Sequence, residues 1–439
     1  MNDPAKCLFA VRRRFLKSIG AAAAAAAGIL EGCGGVAPLL NVGHGELLPK
    51  NARRVVVVGG GYGGAIAAKY IRMLDPSLEV VLVERNRQFI SCPFSNLVIG
   101  GIRQMDDLTI GYERLAVNHG IRLIHDEVID VDAAGRRVVL ASGTLKYDRL
   151  ILAPGIDFRY AELEGYDSAS TPQVMPHAWK AGAQTELLRG QLRDMRDGGS
   201  VVLTVPLTPF RCPPGPYERA SMVAMYLKRY KPKSKVIVLD ANPDIVSKGA
   251  LFRKGWARHY PGMIDYRGGQ RVTAVNAQQR SVLVEGIEEV AGDVVNVIPP
   301  QRAGAIAVKA GVVGAGHWCP IDPTTFESKL VSDIHVIGDA CAADAMPKSG
   351  YSANSQAKVC AMNVVALLNG HETVEMSAIN VCYSFITEKE AVSIAAVYRM
   401  VDGKIVAVPN SGGVSPDLSE LEAAHAENWR RNILAEMSI

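Results

Sequence analysis

The sequence predicts an α/β chain with two Rossmann-like dinucleotide-binding domains and a small α+β C-terminal domain. Three observations carry this. A basic pair and four valines, Arg53 to Val58, run straight into Gly59-Gly60-Gly61-Tyr62-Gly63-Gly64, which satisfies G-x-G-x-x-G. A second strand–turn–helix–strand pattern occupies residues 200 to 240 without such glycines. Beyond residue 370, Ser377 to Tyr398 reads as strands and Leu418 to Met437 as a helix rich in Glu and polar residues.

A chain of 439 residues, 48% hydrophobic and 21% charged, suits a globular protein of two or three domains, so disorder is not expected. Much of the net charge of +4 lies in the first 50 residues; the rest balances 42 Lys and Arg against 41 Asp and Glu. That near-neutral body argues against nucleic acid, whose binding rests on neutralising phosphates.

Residues 1–50 are expected to be an export signal and linker. Arg12-Arg13-Arg14-Phe15-Leu16-Lys17 precedes a weakly apolar stretch holding seven consecutive alanines, Ala21 to Ala27, the pattern of a twin-arginine (Tat) signal. That stretch, about 13 residues, is too short for a ~30 Å hydrocarbon core, which needs roughly 20. Export by this route predicts a periplasmic protein already folded around a cofactor. Leu30-Glu31-Gly32-Cys33 only faintly matches a lipoprotein cleavage box. Past the leader stand Cys92, Cys212, Cys319, Cys341, Cys360 and Cys382, and an oxidising compartment permits disulfides among them. No Cys-x-x-Cys-His occurs, so any haem c belongs to another subunit, and no metal site is read. No second apolar run reaches spanning length, so no membrane span is expected in the mature chain.

The continuous apolar run before Gly59 is that of a strand buried on both faces of a parallel sheet. Ala65 to Met73 then reads as a helix and Glu79 to Val83 as a strand ending in Glu84. Gly59, Gly61 and Gly64 let the backbone approach a pyrophosphate at the positive end of the helix, and Glu84 can accept hydrogen bonds from a ribose. FAD and NAD both remain open at this step. The strand and turn Tyr147 to Gly155, with Pro154 and Gly155, have the shape at which FAD chains leave the first domain. Ile334 to Ile337 lead into Gly338-Asp339, where such an aspartate bonds the ribityl chain. The three segments in this order predict FAD, with an FAD domain at 51–165 and 295–370, a second domain inserted at 166–294, and a C-terminal domain at 371–439.

In the second domain, Val201 to Val205, a helix from about Glu218 to Tyr230 and Lys235 to Asp240 repeat the unit. Its turn, Pro206 to Pro216, holds five prolines, which remove N–H donors and fix φ. The domain is therefore expected to lack an NAD(P)H site and to serve as a rigid mount for Cys212. Cys212 and Cys341 both follow C-terminal ends of strands, where doubly wound sheets place ligands. The domains are expected to bring them over the isoalloxazine, although spacing alone favours two separate buried thiols. Glu218, at the start of the following helix, suits a proton carrier or simply an N-terminal helix charge. Cys92, in Phe89 to Asn96, lies along the cofactor, where its thiolate can add to the flavin 8α carbon. A helix starting near Ser349 or Gly350 points its positive end at the flavin, and Lys348 adds charge there or caps a surface loop.

Several longer strings resemble one family. Arg211-Cys212-Pro213-Pro214-Gly215-Pro216-Tyr217-Glu218-Arg219-Ala220, Ile298 to Gly304, His317-Trp318-Cys319-Pro320, Gly338 to Cys341 and Met346 to Gln356 are similar to the flavoprotein subunit of flavocytochrome c sulfide dehydrogenase, of the disulfide-reductase (glutathione reductase-like) fold. The resemblance runs from about Arg53 to the C-terminus and includes Ser411-Gly412-Gly413-Val414 and Trp429. It implies FAD held covalently through Cys92, an active Cys212–Cys341 disulfide, sulfide as substrate and a separate cytochrome c subunit as electron acceptor. Ser349, Gly350, Tyr351 and Trp429, in or beside the matching strings, are read as flavin neighbours. On this reading hydrosulfide opens the bridge, Cys212 carries the persulfide and Cys341 faces the flavin. Pro93, directly after Cys92, is a departure that stiffens the loop.

Three other functions compete. A sulfide:quinone oxidoreductase uses amphipathic C-terminal helices to enter the bilayer, which the polar final helix disfavours. An NADH-oxidising flavoprotein is disfavoured by the proline turn. The third is a non-catalytic sulfur-binding or activating protein serving a sulfur-oxidation complex.

Overall fold

The run Val55 to Val58 has no polar face to offer water, and the chain buries it at the centre of a parallel sheet. The computed structural model describes residues 45–286 and 288–438. Arg12 to Arg14, the alanine run and Cys33 lie outside the described residues. The elements that position the site are β1 (Arg54–Val58), α1 (Gly64–Leu74), β2 (Glu79–Val83), α2 (Ser95–Ile99), β3 (Arg122–Ile124), β4 (Arg149–Leu152), α3 (Ala183–Asp194), β5 (Ser200–Val205) and α4 (Gly215–Tyr230). They continue with β6 (Lys235–Asp240), α5 (Gly249–His259), β7 (Ile264–Gly268), β8 (Val294–Val297), β9 (Ile334–Val336), α6 (Gly350–Asn369), β10 (Ser377–Phe385), β11 (Ala391–Val401), β12 (Lys404–Ala407) and α7 (Glu420–Ser438).

The first sheet has the order β9-β4-β1-β2-β3 and is parallel throughout. The second, β7-β6-β5-β8, is parallel as well. Its last strand corrects a boundary: Val201 pairs with Val294, so the apolar run Val294–Val297 belongs to the second sheet, which ends at Val297 and not at residue 294. Ile156–Phe158 pairs antiparallel with Gln301–Ala303, tying together the points where the chain leaves and re-enters the first domain. The C-terminal sheet, β10-β11-β12, is antiparallel.

Helix α6 starts where a side chain can cap it. Ser349 is extended and accepts a hydrogen bond from the Ser352 N–H, satisfying a donor that the first turn leaves free. The turn after β1 requires glycine at two points. Gly59 has φ +96° and a Cβ there would stand 2.4 Å from the Ala153 carbonyl oxygen. A Cβ on Gly64 would stand 1.8 Å from the Gly59 oxygen, so helix α1 packs this close to its own turn only with glycine in place. Gly64→Ala is expected to cost about 1–3 kcal/mol of stability through overpacking. An unchanged thermal midpoint for that variant would show that the turn relaxes freely.

Candidate functional site

A cavity of about 890 Å³ opens along the C-terminal edge of the first sheet. The edge is built by the residues that follow each strand: Gly59 and Gly61 after β1, Glu84 after β2, Pro154 and Gly155 after β4, Gly338 and Asp339 after β9. Glu84 is held in place by the Gly60 N–H at 2.8 Å and the Asn86 N–H at 2.9 Å. Gly350, the first residue of α6, also lines the cavity. A Cβ there would meet the Tyr62 ring at 2.8 Å, so glycine lets the helix start against that ring.

These walls fit FAD. The glycine turn offers bare backbone at the N-terminus of α1, suited to a pyrophosphate. The Asp339 Oδ1 atom is buried without a hydrogen-bond partner, and a ribityl hydroxyl would supply one. Burial raises the Asp339 carboxyl above its usual range, opposed by Arg211 and Lys348. Cys92 also lies on the wall, its sulfur accepting from the Ala181 N–H at 3.4 Å.

A sulfur pair stands beside this cavity. Cys212 sits in the proline turn with φ +57°, one residue past the wall residue Arg211. Its N–H donates to the Lys348 carbonyl at 2.8 Å and its carbonyl accepts from the Gly215 N–H at 2.8 Å. A Cβ on Gly215 would stand 2.7 Å from the Trp179 ring and 3.0 Å from the Cys212 sulfur, so glycine lets α4 begin directly against both. The Cys212 thiol shares a hydrogen bond with the Cys382 thiol of β10. That bond pulls Cys382 down to about 7, with help from Lys248, and pushes Cys212, which keeps the proton, up. Cys92, Cys212 and Cys382 are half-buried, whereas Cys319, Cys341 and Cys360 are buried.

Glu218, on the first turn of α4, acts electrostatically on both sulfurs. It accepts from the Phe385 N–H at 2.8 Å and the Asn96 Nδ2 at 2.7 Å, and burial raises its carboxyl. Next to it, Arg219 is fully buried. It donates to Asn96, Asn296 and the carbonyls of His177 and Ala178, and lies 4.9 Å from the Trp179 ring centre.

The structure sets the Cys212 thiol against Cys382 and not against Cys341, the partner expected for it. Cys341 faces Cys319 across a short parallel bridge, and its thiol turns back to donate to the Gly338 carbonyl at 3.1 Å. Burial pushes that thiol up to about 11. Lys348 is likewise not on the cavity wall. Its amino group donates to the carbonyls of Asp339 at 2.9 Å and Cys341 at 2.6 Å and lies 3.7 Å from the Trp318 ring centre, so it ties down the 338–341 turn.

Ser349, Tyr351 and Trp429 do not line the cavity either. Ser349 caps α6 and bonds Asn380 at 2.6 Å, while Trp429 stacks on Phe94, two residues after Cys92, and touches Tyr351. Their support is indirect, through the loops. Gly64 lies behind the turn for the packing reason above. Sequence reasoning missed Cys382, Lys248 and Arg211; only Arg211, adjoining Cys212, carried a local signal.

Three family profiles match the chain. The pyridine nucleotide-disulphide oxidoreductase profile covers residues 53–189. The central domain of the sulfide dehydrogenase (flavocytochrome c) flavoprotein chain covers 185–299, and the flavocytochrome c sulphide dehydrogenase flavin-binding domain covers 374–437. The flavoprotein chain of sulfide dehydrogenase (flavocytochrome c) from Chlorobaculum thiosulfatiphilum is 65% identical over 46 residues, 10% of this chain and 96% of that sequence. The mitochondrial sulfide:quinone oxidoreductase of Mus musculus is 22% identical over 310 residues, 66% of either chain. The X-ray structure of the sulfide:quinone oxidoreductase from Aquifex aeolicus superposes with a TM-score of 0.73 at 19% identity, covering 88% of this chain and 92% of that one. That likeness establishes the two-domain fold.

Asp339→Ala is expected to weaken FAD binding about 5- to 150-fold, the equivalent of about 1–3 kcal/mol. Titration of FAD into apoprotein with and without the substitution measures this; an unchanged affinity would remove Asp339 from the site.

Proposed function

This chain belongs to the flavocytochrome c sulfide dehydrogenase flavoprotein family of FAD-dependent, sulfide-oxidising oxidoreductases, and we propose that its oxidation of sulfide runs through a disulfide between Cys212 and Cys382. The observation that supports this centre is the hydrogen-bonded pair of half-buried thiols beside the cavity. Electrons leave to a separate cytochrome c subunit, in keeping with a sequence that has no Cys-x-x-Cys-His of its own.

FAD, when bound, would supply the two-electron acceptor for the sulfur centre. Gly59, Gly61 and Glu84 would hold the nucleotide half, Pro154 and Gly155 would border it, and Asp339 would hold the ribityl chain. Hydrosulfide attacks one sulfur of the bridge: a bond forms to the substrate sulfur, the Cys212–Cys382 bond breaks, and the second cysteine departs as a thiolate. Conversion of HS⁻ to zero-valent sulfur releases two electrons and one proton. Glu218, beside both sulfurs and raised by burial, takes the proton. The N-terminus of α4 begins directly against Cys212 and holds its sulfur in place.

Cys92 forms the thioether to the flavin in this reading, supported by its half-buried thiol on the cavity wall. Tat export to the periplasm is supported by the arginine and alanine pattern near the N-terminus. In the second domain the proline turn buries Phe210 at 2% exposure, which leaves a poor seat for NAD(P)H. A quinone acceptor is the alternative that the mouse relative raises. Among the described residues no helix is long and apolar enough to cross a membrane.

Cys212→Ser and Cys382→Ser are each expected to lower sulfide-dependent cytochrome c reduction by roughly a hundredfold or more, with Cys341→Ser within about twofold of wild type. Near-normal turnover in Cys382→Ser would refute the pairing, and a quinone reduced in preference to cytochrome c would refute the acceptor. Because burial raises the Glu218 pKa and the ionised carboxylate is the proton acceptor, turnover should rise with pH through that pKa. The limb should disappear in Glu218→Gln, at a cost of about a hundredfold in rate. The intact-chain mass should include flavin and lose it in Cys92→Ala.

A further inference from the structure

One buried cation near the sulfur pair has no part in the scheme above. Lys248 is 6% exposed, precedes the first residue of α5 and has φ +60°. Every local preference runs against it. A positive charge at a helix N-terminus opposes the helix dipole, and a buried ammonium is costly unless an anion faces it. Rules broken together at one residue point to a functional constraint.

The contacts of its amino group say where the anion is. Lys248 Nζ donates to the Ser384 hydroxyl at 2.8 Å and to the Cys382 carbonyl at 3.3 Å, two of the three hydrogen bonds an ammonium can make. Cys382 and Ser384 are two apart in β10, so their side chains leave the same face of the strand, roughly 6.8 Å apart along it. The amino group that reaches the Ser384 hydroxyl therefore stands on the face that carries the Cys382 sulfur. Among the described residues no carboxylate forms an ion pair with Lys248. Glu218, the nearby candidate, has its two oxygens occupied by Phe385 and Asn96, and Arg219 is committed to carbonyls and amides.

We infer that Lys248 is a positioning residue whose fixed charge holds the sulfur of Cys382 in its anionic form whenever the Cys212–Cys382 bridge is open. The inference rests on the reading of that bridge as the sulfide centre. Three groups act electrostatically on Cys382, namely Cys212 from the proline turn, Glu218 from α4 and Lys248 from the start of α5, and Lys248 is the only cation among them. Lysine at this point keeps an anionic sulfur available without a second acid–base partner, and it biases the open bridge toward negative charge on β10.

The test needs no sulfide. Holoenzyme reduced with a phosphine is alkylated with iodoacetamide from about pH 5 to about pH 9, and peptide mass spectrometry follows Cys382 and Cys212 separately. In the wild type, Cys382 should react first, with a midpoint near 7. In Lys248→Met the midpoint should move up by about one unit or more, a roughly tenfold slower reaction on the acid side, and Lys248→Arg should restore most of it. An unmoved midpoint in Lys248→Met would overturn the inference. Should Lys248→Met not fold, wild-type Cys212 reacting ahead of Cys382 would overturn it equally. Failure of the sulfide reading shows elsewhere, as turnover surviving in Cys382→Ser, whatever the alkylation profile.

Discussion

The site depends on one buried cation. Among the described residues no carboxylate forms an ion pair with Arg219; its guanidinium is satisfied by two amide oxygens, two backbone carbonyls and the face of Trp179. Each partner comes from a different part of the fold: Asn96 from α2, which follows the Cys92 loop, His177 and Ala178 from the connection into the second domain, Asn296 from β8. An uncompensated charge at this depth would cost several kcal/mol, so these segments must converge wherever the fold forms. That convergence sets the start of α4, and with it Glu218 and the proline turn, against the flavin loop.

The two halves of the molecule use one architecture for opposite ends. After β1 the glycines strip side chains from the turn, and α1 starts so close to it that a Cβ on Gly64 would overlap a carbonyl. After β5 the equivalent turn is filled with prolines and a buried Phe210, and its one residue with positive φ is Cys212. The first turn presents amide donors and the second presents a sulfur. Both stand at the start of a helix, which faces a pyrophosphate seat in one case and the hydrogen-bonded thiol pair in the other. The C-terminal sheet completes the arrangement by delivering Cys382 and bonding to Glu218 through the Phe385 N–H.

Residues 338 to 350 divide their work between cavity and support. Gly338, Asp339 and Gly350 face the cavity. Cys341, Lys348 and Ser349 fasten the segment from behind, through the bridge to Cys319, the carbonyls of Asp339 and Cys341, and the cap on α6. Trp429 does the same for the Cys92 loop by stacking on Phe94. These residues act on the site through the loops that they fasten.

By itself the sequence determined whatever rests on contacts close along the chain. The apolar runs defined β1, β5 and β6, the glycine spacing marked the dinucleotide turn, Glu84 followed at the right distance, and the prolines identified the turn that cannot copy it. These signals are legible because strand, turn and helix of one unit fold within a few dozen residues. Which sulfur meets Cys212 was decided by tertiary structure alone. Cys341 and Cys382 both follow plausible patterns, but a tight turn and the bridge to Cys319 rotate the first thiol inward. The alternation of β10 turns the second toward the proline turn, on the face where Lys248 reaches Ser384. Nothing local records that choice, because it depends on how a C-terminal sheet packs against a helix far away in the chain.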